Sequence, residues 1–170
     1  WHCFGACQEG GNVIKFVMKH ENYTFPQAVK SLAKRFGVDF FEAEETDVER
    51  EQRLHRESIY NLNERVANYF VKNLFDAANG KALQYAYSRF GEQYVRESGM
   101  GYAKKHNDLF TWASKHGENF DLLEEASLLG VNSESNEYYD FFRDRLVFPI
   151  RDRSKHIVGF TARDLTGSSE

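Results

Sequence analysis

YYDFFRDRLVFPIRDRSKHIVGFTARDL, residues 138–165, is the stretch that decides the fold. Within it Leu146, Phe148 and Ile150 alternate with Val147 and Pro149, a polar RDRSKH run follows, and Ile157 to Ala162 is β-like again. A period of two is the signature of a strand, so the two runs predict an antiparallel hairpin. Pro149 has no N–H to give to a ladder, which restricts its strand to an edge or a bulge. The stretch is also basic. From Phe141 to Arg163 there are six cationic residues, Arg143, Arg145, Arg151, Arg153, Lys155 and Arg163, against Asp144 and Asp152.

N-terminal to this hairpin the dominant period is helical. Asn12 can cap a short helix through about His20, with Val13, Phe16 and Val17 on one face. Thr24 to Gln27 forms a capping box, Val29, Leu32, Ala33 and Phe36 follow at helical spacing, and Gly37 sits where that helix must stop. A second box, Thr46 to Glu49, opens a long helix whose apolar stripe starts only at Ile59 and continues through Leu62, Val66, Tyr69, Phe70 and Leu74. Residues 42–58 hold seven acids and three arginines, so the first half of that helix reads as a solvated connector. Helices are also expected over Lys81 to Phe90, Glu92 to Ser98, Leu109 to His116 and Phe120 to Leu129, with Gly91, Gly99 and Gly130 as stops. The fold class expected is α+β: helical N-terminal and middle parts, then a C-terminal antiparallel β-hairpin or small sheet.

Composition bounds the function. The chain has 170 residues, 41% hydrophobic and 15% aromatic, enough for a packed core. Its longest apolar runs fall far below the ~20 residues that cross a bilayer, so a soluble protein with no membrane partner is expected. The net charge of −4 argues against nucleic acid covering the whole surface, but it is the sum of acidic helices and the basic C-terminal segment. Cys3 and Cys7 are the only cysteines. Four positions apart, they cannot build a disulfide framework, which points to a reducing, cytoplasmic compartment.

Cys3 and Cys7, with Gly5 between them and Gly10 and Gly11 after, could supply half of a tetrahedral zinc knuckle; free thiols are the plainer reading. No phosphate-cradling loop with a following Lys, no G-x-S-x-G elbow and no H-E-x-x-H motif occurs, so no complete active site is visible. The basic hairpin says more. If the chain is extended through Arg143 and Arg145, the period of two puts both on one face, and Arg163 on the partner strand joins them if the register allows. Guanidiniums on a rigid sheet suit phosphate oxygens, and Tyr139, Phe141 and Phe142 could stack on unpaired bases. The alternative is intramolecular pairing with Asp144, Asp152 and Asp164 and aromatic core packing.

Three strings carry a resemblance. Residues 2–38, HCFGACQEGGNVIKFVMKHENYTFPQAVKSLAKRFGV, resemble the second half of the zinc-binding domain of bacterial-type replicative DNA primases. Residues 138–165 resemble the start of the β-structure in that family's RNA polymerase core, and 82–103, ALQYAYSRFGEQYVRESGMGYA, its helix pair ending in G-[FY]-A. The resemblance implies a piece of a nucleotidyltransferase that makes short RNA primers on single-stranded DNA, with 1–41 the C-terminal half of the zinc-binding domain, 42–58 a charged helical linker and 59–170 the N-terminal subdomain of the catalytic core. It implies template-guiding roles for Arg143, Arg145 and Arg163; Arg151 of the basic segment and Arg96 are further candidate nucleic-acid contacts. Two departures alter the basic track: Phe141 stands where the family often has Arg, and a basic family position falls near Glu97, beside Arg96. The family holds zinc with an upstream C-x-x-H and a downstream C-x-x-C pair; Cys3 and Cys7 match the latter with one extra residue, an incomplete site. Its magnesium-binding acids lie in a Toprim subdomain C-terminal to Glu170, so no catalytic residue is expected here. Expected partners are the single-stranded template and, for the parent protein, nucleoside triphosphates, RNA primer and a replicative helicase. The other reading is a non-catalytic module that docks a helicase or another primase domain.

Overall fold

A computed structural model describes residues 1–5, 8–39 and 45–165. The chain divides into two compact units, residues 1–46 and 47–170.

In the first unit, His2 and Gly10 form an isolated antiparallel bridge that closes the glycine-rich loop, and Cys3 N–H donates to the Glu9 carbonyl at 2.7 Å. Helix α1 (Val13–His20) starts where Asn12 Oδ1 accepts the Lys15 N–H, and α2 (Phe25–Phe36) starts where Gln27 Oε1 accepts the Thr24 N–H. Gly37 ends α2 in the left-handed region at φ 63°. These two helices pack on each other through a thin core: only Ala28 and Ala33 are buried on α2, and no residue of α1 is. Phe36, expected on the buried stripe, is 68% exposed.

In the second unit, α3 (Asp47–Phe75) is one continuous helix. Its charged first half is exposed, and its buried residues begin at Leu62 and continue through Val66, Phe70 and Leu74. A 3₁₀ turn at Ala77–Asn79 leads to α4 (Gly80–Phe90) and α5 (Glu92–Glu97), followed by strand β1 (Gly101–Ala103), α6 (Asp108–His116) and α7 (Phe120–Glu125). Strands β2 (Leu129–Val131) and β3 (Tyr138–Asp140) pair with each other, and β4 (Arg145–Arg151) pairs with β5 (Ile157–Asp164) as the expected hairpin.

Three short strands, β1 to β3, fall where the sequence pattern read as helix or loop, so strands are not confined to the end of the chain. The expected helix over 120–129 stops at Glu125, and Gly130 lies inside β2. Gly130 serves close packing and does not stop a helix: a Cβ there would lie 2.5 Å from the Tyr139 ring. Pro149 sits on the central strand of the β1-β4-β5 sheet, yet β1 reaches only as far as Val147, so Pro149 lies on a locally free edge. The register shift follows at once, between Ile150 and Arg151.

Where β1 pairs with β4 this sheet is buried on both faces, and its alternation there sorts the core into two clusters. Ala103 and Val147 join Leu62, Val66, Phe70, Leu109, Ala113 and Leu123 on one side. Tyr102 and Leu146 join Leu74, Ala82, Ala86, Val95 and Met100 on the other. Gly101 makes the first packing possible, because a Cβ there would lie 2.4 Å from Phe70 Cβ and 2.5 Å from the Phe70 carbonyl carbon. The obstacle includes backbone, which cannot rotate away. Gly101→Ala is therefore expected to cost roughly 1–3 kcal/mol of unfolding free energy in a urea titration, the range for overpacked cores.

Candidate nucleic-acid interface

The segment between β3 and β4 carries Arg143 and is fixed at both ends by an aspartate. Asp140 is buried, and its Oδ2 and Oδ1 accept the N–H groups of Leu109 at 2.8 Å and Phe110 at 2.9 Å. These are orphan donors in the first turn of α6, so the carboxylate caps the helix and lies at the positive end of its dipole. Burial pushes the Asp140 carboxyl above its ordinary range, while those N–H groups and Arg143 oppose the shift. Asn107 reinforces the junction, accepting the Asp140 N–H at 3.2 Å and donating to the Tyr138 carbonyl at 3.3 Å.

At the other end, Asp144 adopts φ 54°, in the left-handed region. Its Oδ1 accepts the Tyr102 hydroxyl at 2.6 Å, its Oδ2 lies 3.4 Å from Lys105 Nζ, and its N–H donates to the Lys104 carbonyl at 3.2 Å. Burial, then the hydrogen bond to Asp144, raises the Tyr102 hydroxyl pKa, so Tyr102 is a firm donor.

The five arginines singled out by sequence do not form one surface. Arg143 and Arg145 are both exposed, but strand geometry begins only at Arg145, and the left-handed Asp144 between them breaks the alternation that would have put both on one face. Arg143 sits over the Tyr139 ring at 5.7 Å, and Arg145 makes no side-chain hydrogen bond or ion pair among the described residues. Arg163 is paired across the ladder with Leu146, whereas Arg145 is paired with Asp164 and Ala103. Cross-strand partners share a face and neighbours along a strand do not, so the register sends Arg163 to the opposite face from Arg145. There Arg163 Nε donates to the Tyr85 hydroxyl at 3.3 Å. Arg151 is held by Glu64 at 2.9 Å and by the Lys155 carbonyl at 2.8 Å. Arg96 pairs with Glu92 at 2.7 Å and lies 5.8 Å from the Phe75 and Tyr87 ring centroids.

Beside the Asp144 turn opens a cleft of about 940 Å³ lined by Lys81, Tyr85, Tyr102, Lys104, Lys105 and Asp144, among others. These lysines were not singled out from the sequence. The only local signal was the Lys104-Lys105 pair directly after the G-Y-A segment. Lys104 lies 3.6 Å from Asp108 and Lys105 lies 3.4 Å from Asp144, so these two cations already have an acidic neighbour.

The thiol pair is only half described, since Cys7 lies outside the described residues. Among those residues Cys3 is a half-buried free thiol, and no group of three or more His, Cys, Asp or Glu side chains comes together as a metal site. A structural zinc needs four donors, so the described donor set does not complete a zinc site. No helix of the described residues is long and apolar enough to cross a membrane.

Comparison with known proteins identifies the family. The family model for the N-terminal domain of the DNA primase catalytic core matches residues 69–170, and the CHC2 zinc finger model matches residues 1–48. The DNA primase of Clostridium acetobutylicum is 34% identical over 170 residues, 99% of this chain and 28% of the relative. A Staphylococcus aureus DNA primase is 32% identical, covering 98% of this chain and 28% of its own length. Among solved structures, the Aquifex aeolicus primase with its zinc-binding and RNA polymerase domains shares 27% identity over 99% of this chain and 39% of that one, with a TM-score of 0.59. A DnaG primase catalytic domain bound to single-stranded DNA shares 25% identity over 66% of this chain and 37% of that one, again with a TM-score of 0.59. The matches define a mixed helix-and-sheet chain in which residues 69–170 match the primase catalytic core and residues 1–48 match a zinc finger model. The chain belongs to the DNA primase family and spans 28% of the length of the curated relatives it matches.

Asp140 holds this segment through two helix N–H groups, that of Leu109 buried and that of Phe110 part-buried. Removing its carboxylate in Asp140→Ala leaves both without an acceptor, and a loss of about 2–4 kcal/mol in thermal or urea unfolding is expected.

Proposed function

We propose that these residues form the template-guiding part of a DNA primase, a DNA-directed RNA polymerase that makes short RNA primers on single-stranded DNA. The observation that carries this reading is the pair of exposed arginines, Arg143 and Arg145, on either side of Asp144, which itself lines the cleft together with Lys81, Lys104 and Lys105. Guanidinium and ammonium groups on a rigid support bind phosphate oxygens with little loss of side-chain freedom, and they release counterions from the strand on binding. Tyr139, already under Arg143, offers a π-face to an unstacked base. Arg163 extends the cationic surface on the cleft side of the sheet, while Arg151 and Arg96 are tied to Glu64 and Glu92 and contribute less. A solved DnaG catalytic domain with single-stranded DNA supports the reading.

In this account residues 1–41 are the second half of a zinc-binding domain, 42–58 a charged linker and 59–170 the first subdomain of the catalytic core. Zinc belongs to the complete zinc-binding domain, to which Cys3 and Cys7 contribute one pair. Nucleotide addition belongs to magnesium-binding acids elsewhere in the longer primase; magnesium there would neutralise charge on the incoming nucleoside triphosphate. The 170 residues by themselves then bind template and do not polymerise. Incubated with single-stranded template, magnesium and all four ribonucleoside triphosphates, they should yield no RNA product; any templated product contradicts this division of labour.

The docking reading has one observation in its favour. Phe141, Ile150 and Val158 are exposed around a groove of about 410 Å³ that Ile59 and Ala126 also line. Phe141→Ser with Ile150→Ser should weaken capture of a helicase or another primase domain, and leave DNA binding intact, if that groove is a docking surface.

The direct test of template binding is fluorescence anisotropy with a labelled single-stranded oligonucleotide across a salt series. Log affinity should fall linearly with log salt, and Arg143→Ala with Arg145→Ala should reduce the slope by about 1.4, the share of two phosphates. Salt-insensitive binding, or an unchanged slope in the double variant, contradicts the reading.

A further inference from the structure

The geometry points to Asp144, held by the hydroxyl of Tyr102, as the positioning residue that sets Arg143 and Arg145 relative to each other for phosphate contact. The inference rests on the template-binding reading above and deepens it by assigning the device that shapes the contact.

Asp144 stands between the two arginines at φ 54°, a conformation that costs an L-residue energy, less for Asp than for most, and that persists where the surroundings hold it. Three contacts impose it here: the Tyr102 hydroxyl at 2.6 Å, Lys105 Nζ at 3.4 Å and the hydrogen bond from the Asp144 N–H to the Lys104 carbonyl at 3.2 Å. Two of these come from residues following directly on β1, and Tyr102 lies within β1, paired in register with Leu146. The kink is therefore tied to the strand that packs on the core, not to the exposed loop. An acid between two phosphate-binding arginines is electrostatically unfavourable for a polyanion, so its presence calls for a compensating role. The hydrogen bond supplies one. Without the kink, Arg143 and Arg145, two apart on an extended chain, would share one face; with it, Arg143 sits over Tyr139 while Arg145 begins the strand.

Charge and shape can be separated by substitution. Asp144→Asn removes the charge but keeps an oxygen that accepts the Tyr102 hydroxyl, and Asn tolerates positive φ. Asp144→Ala removes both, and Tyr102→Phe removes only the donor. The measurement is anisotropy with single-stranded oligothymidylate over a salt series, with melting temperatures recorded for each variant. Tyr102→Phe and Asp144→Ala should bind about 3- to 10-fold more weakly with a salt slope shallower by about 0.7, the share of a single phosphate. Asp144→Asn should keep the wild-type slope with equal or tighter binding. Ala113→Gly in α6, which lowers stability without touching the turn, should also keep the slope; a merely structural role for Tyr102 would move the melting temperature and not the slope. A wild-type slope in Tyr102→Phe, or weakening in Asp144→Asn equal to that in Asp144→Ala, overturns the assignment alone. Absence of salt-dependent binding by the unaltered chain overturns the template reading and this assignment with it.

Discussion

The close approach of β1 to α3 at Gly101 is the constraint on which the second unit depends. With no Cβ in the way, the strand backbone rests against Phe70 and Val71, and the neighbouring residues divide between the two faces of the sheet. Ala103 enters the cluster around Phe70, and Tyr102 enters the cluster around Leu74 and Met100. Strand β4 then pairs with β1 only over Arg145 to Val147, which leaves its far half to β5 and lets Pro149 sit without an N–H to give. A three-residue strand thus fixes where the hairpin lies and where the basic turn begins.

That turn is an electrostatic compromise. Two aspartates flank Arg143, each with a defined acceptor role: Asp140 satisfies first-turn N–H groups of α6, and Asp144 receives Tyr102. Both put negative charge near groups proposed to meet phosphate, and both are justified by the buried or part-buried donors they satisfy. The remaining cations are distributed by contact. Arg151 and Arg96 hold acids on their own surface, while Arg145 has no such partner among the described residues. The charge of −4 over the whole chain says nothing about this local pattern.

Much of the structure was legible because its determinants are local. Asn12, the Thr24 and Gln27 pair and Gly37 set helix ends through contacts within a few residues, and the alternation over 146–150 and 157–162 sufficed for the hairpin. Strands β1 to β3 were not legible, since three residues cannot display a period and their existence depends on partners remote in sequence, as Gly101 on Val147. Gly130 looked like a helix stop because a glycine admitting the Tyr139 ring has the same local appearance. The site was legible in composition but not in arrangement. Six basic residues marked the hairpin, yet their faces were decided by the kink at Asp144 and by the pairing of Leu146 with Arg163. The lysine cleft gathers residues 81, 104 and 105 from separate elements, and only the K-K pair left a trace in the sequence.

The central claim is that single-stranded template lies across the Asp144 turn and the lysine cleft. Its most direct measurement is NMR titration of the chain with a short single-stranded oligonucleotide, following backbone amides together with arginine and lysine side-chain signals. The account predicts saturating shifts at Tyr139, Arg143 and Arg145 and at Lys81, Lys104 and Lys105, with the exposed first half of α3 unchanged. Shifts confined to α3 or to the first unit, or no shift at the turn at saturating oligonucleotide, would contradict it.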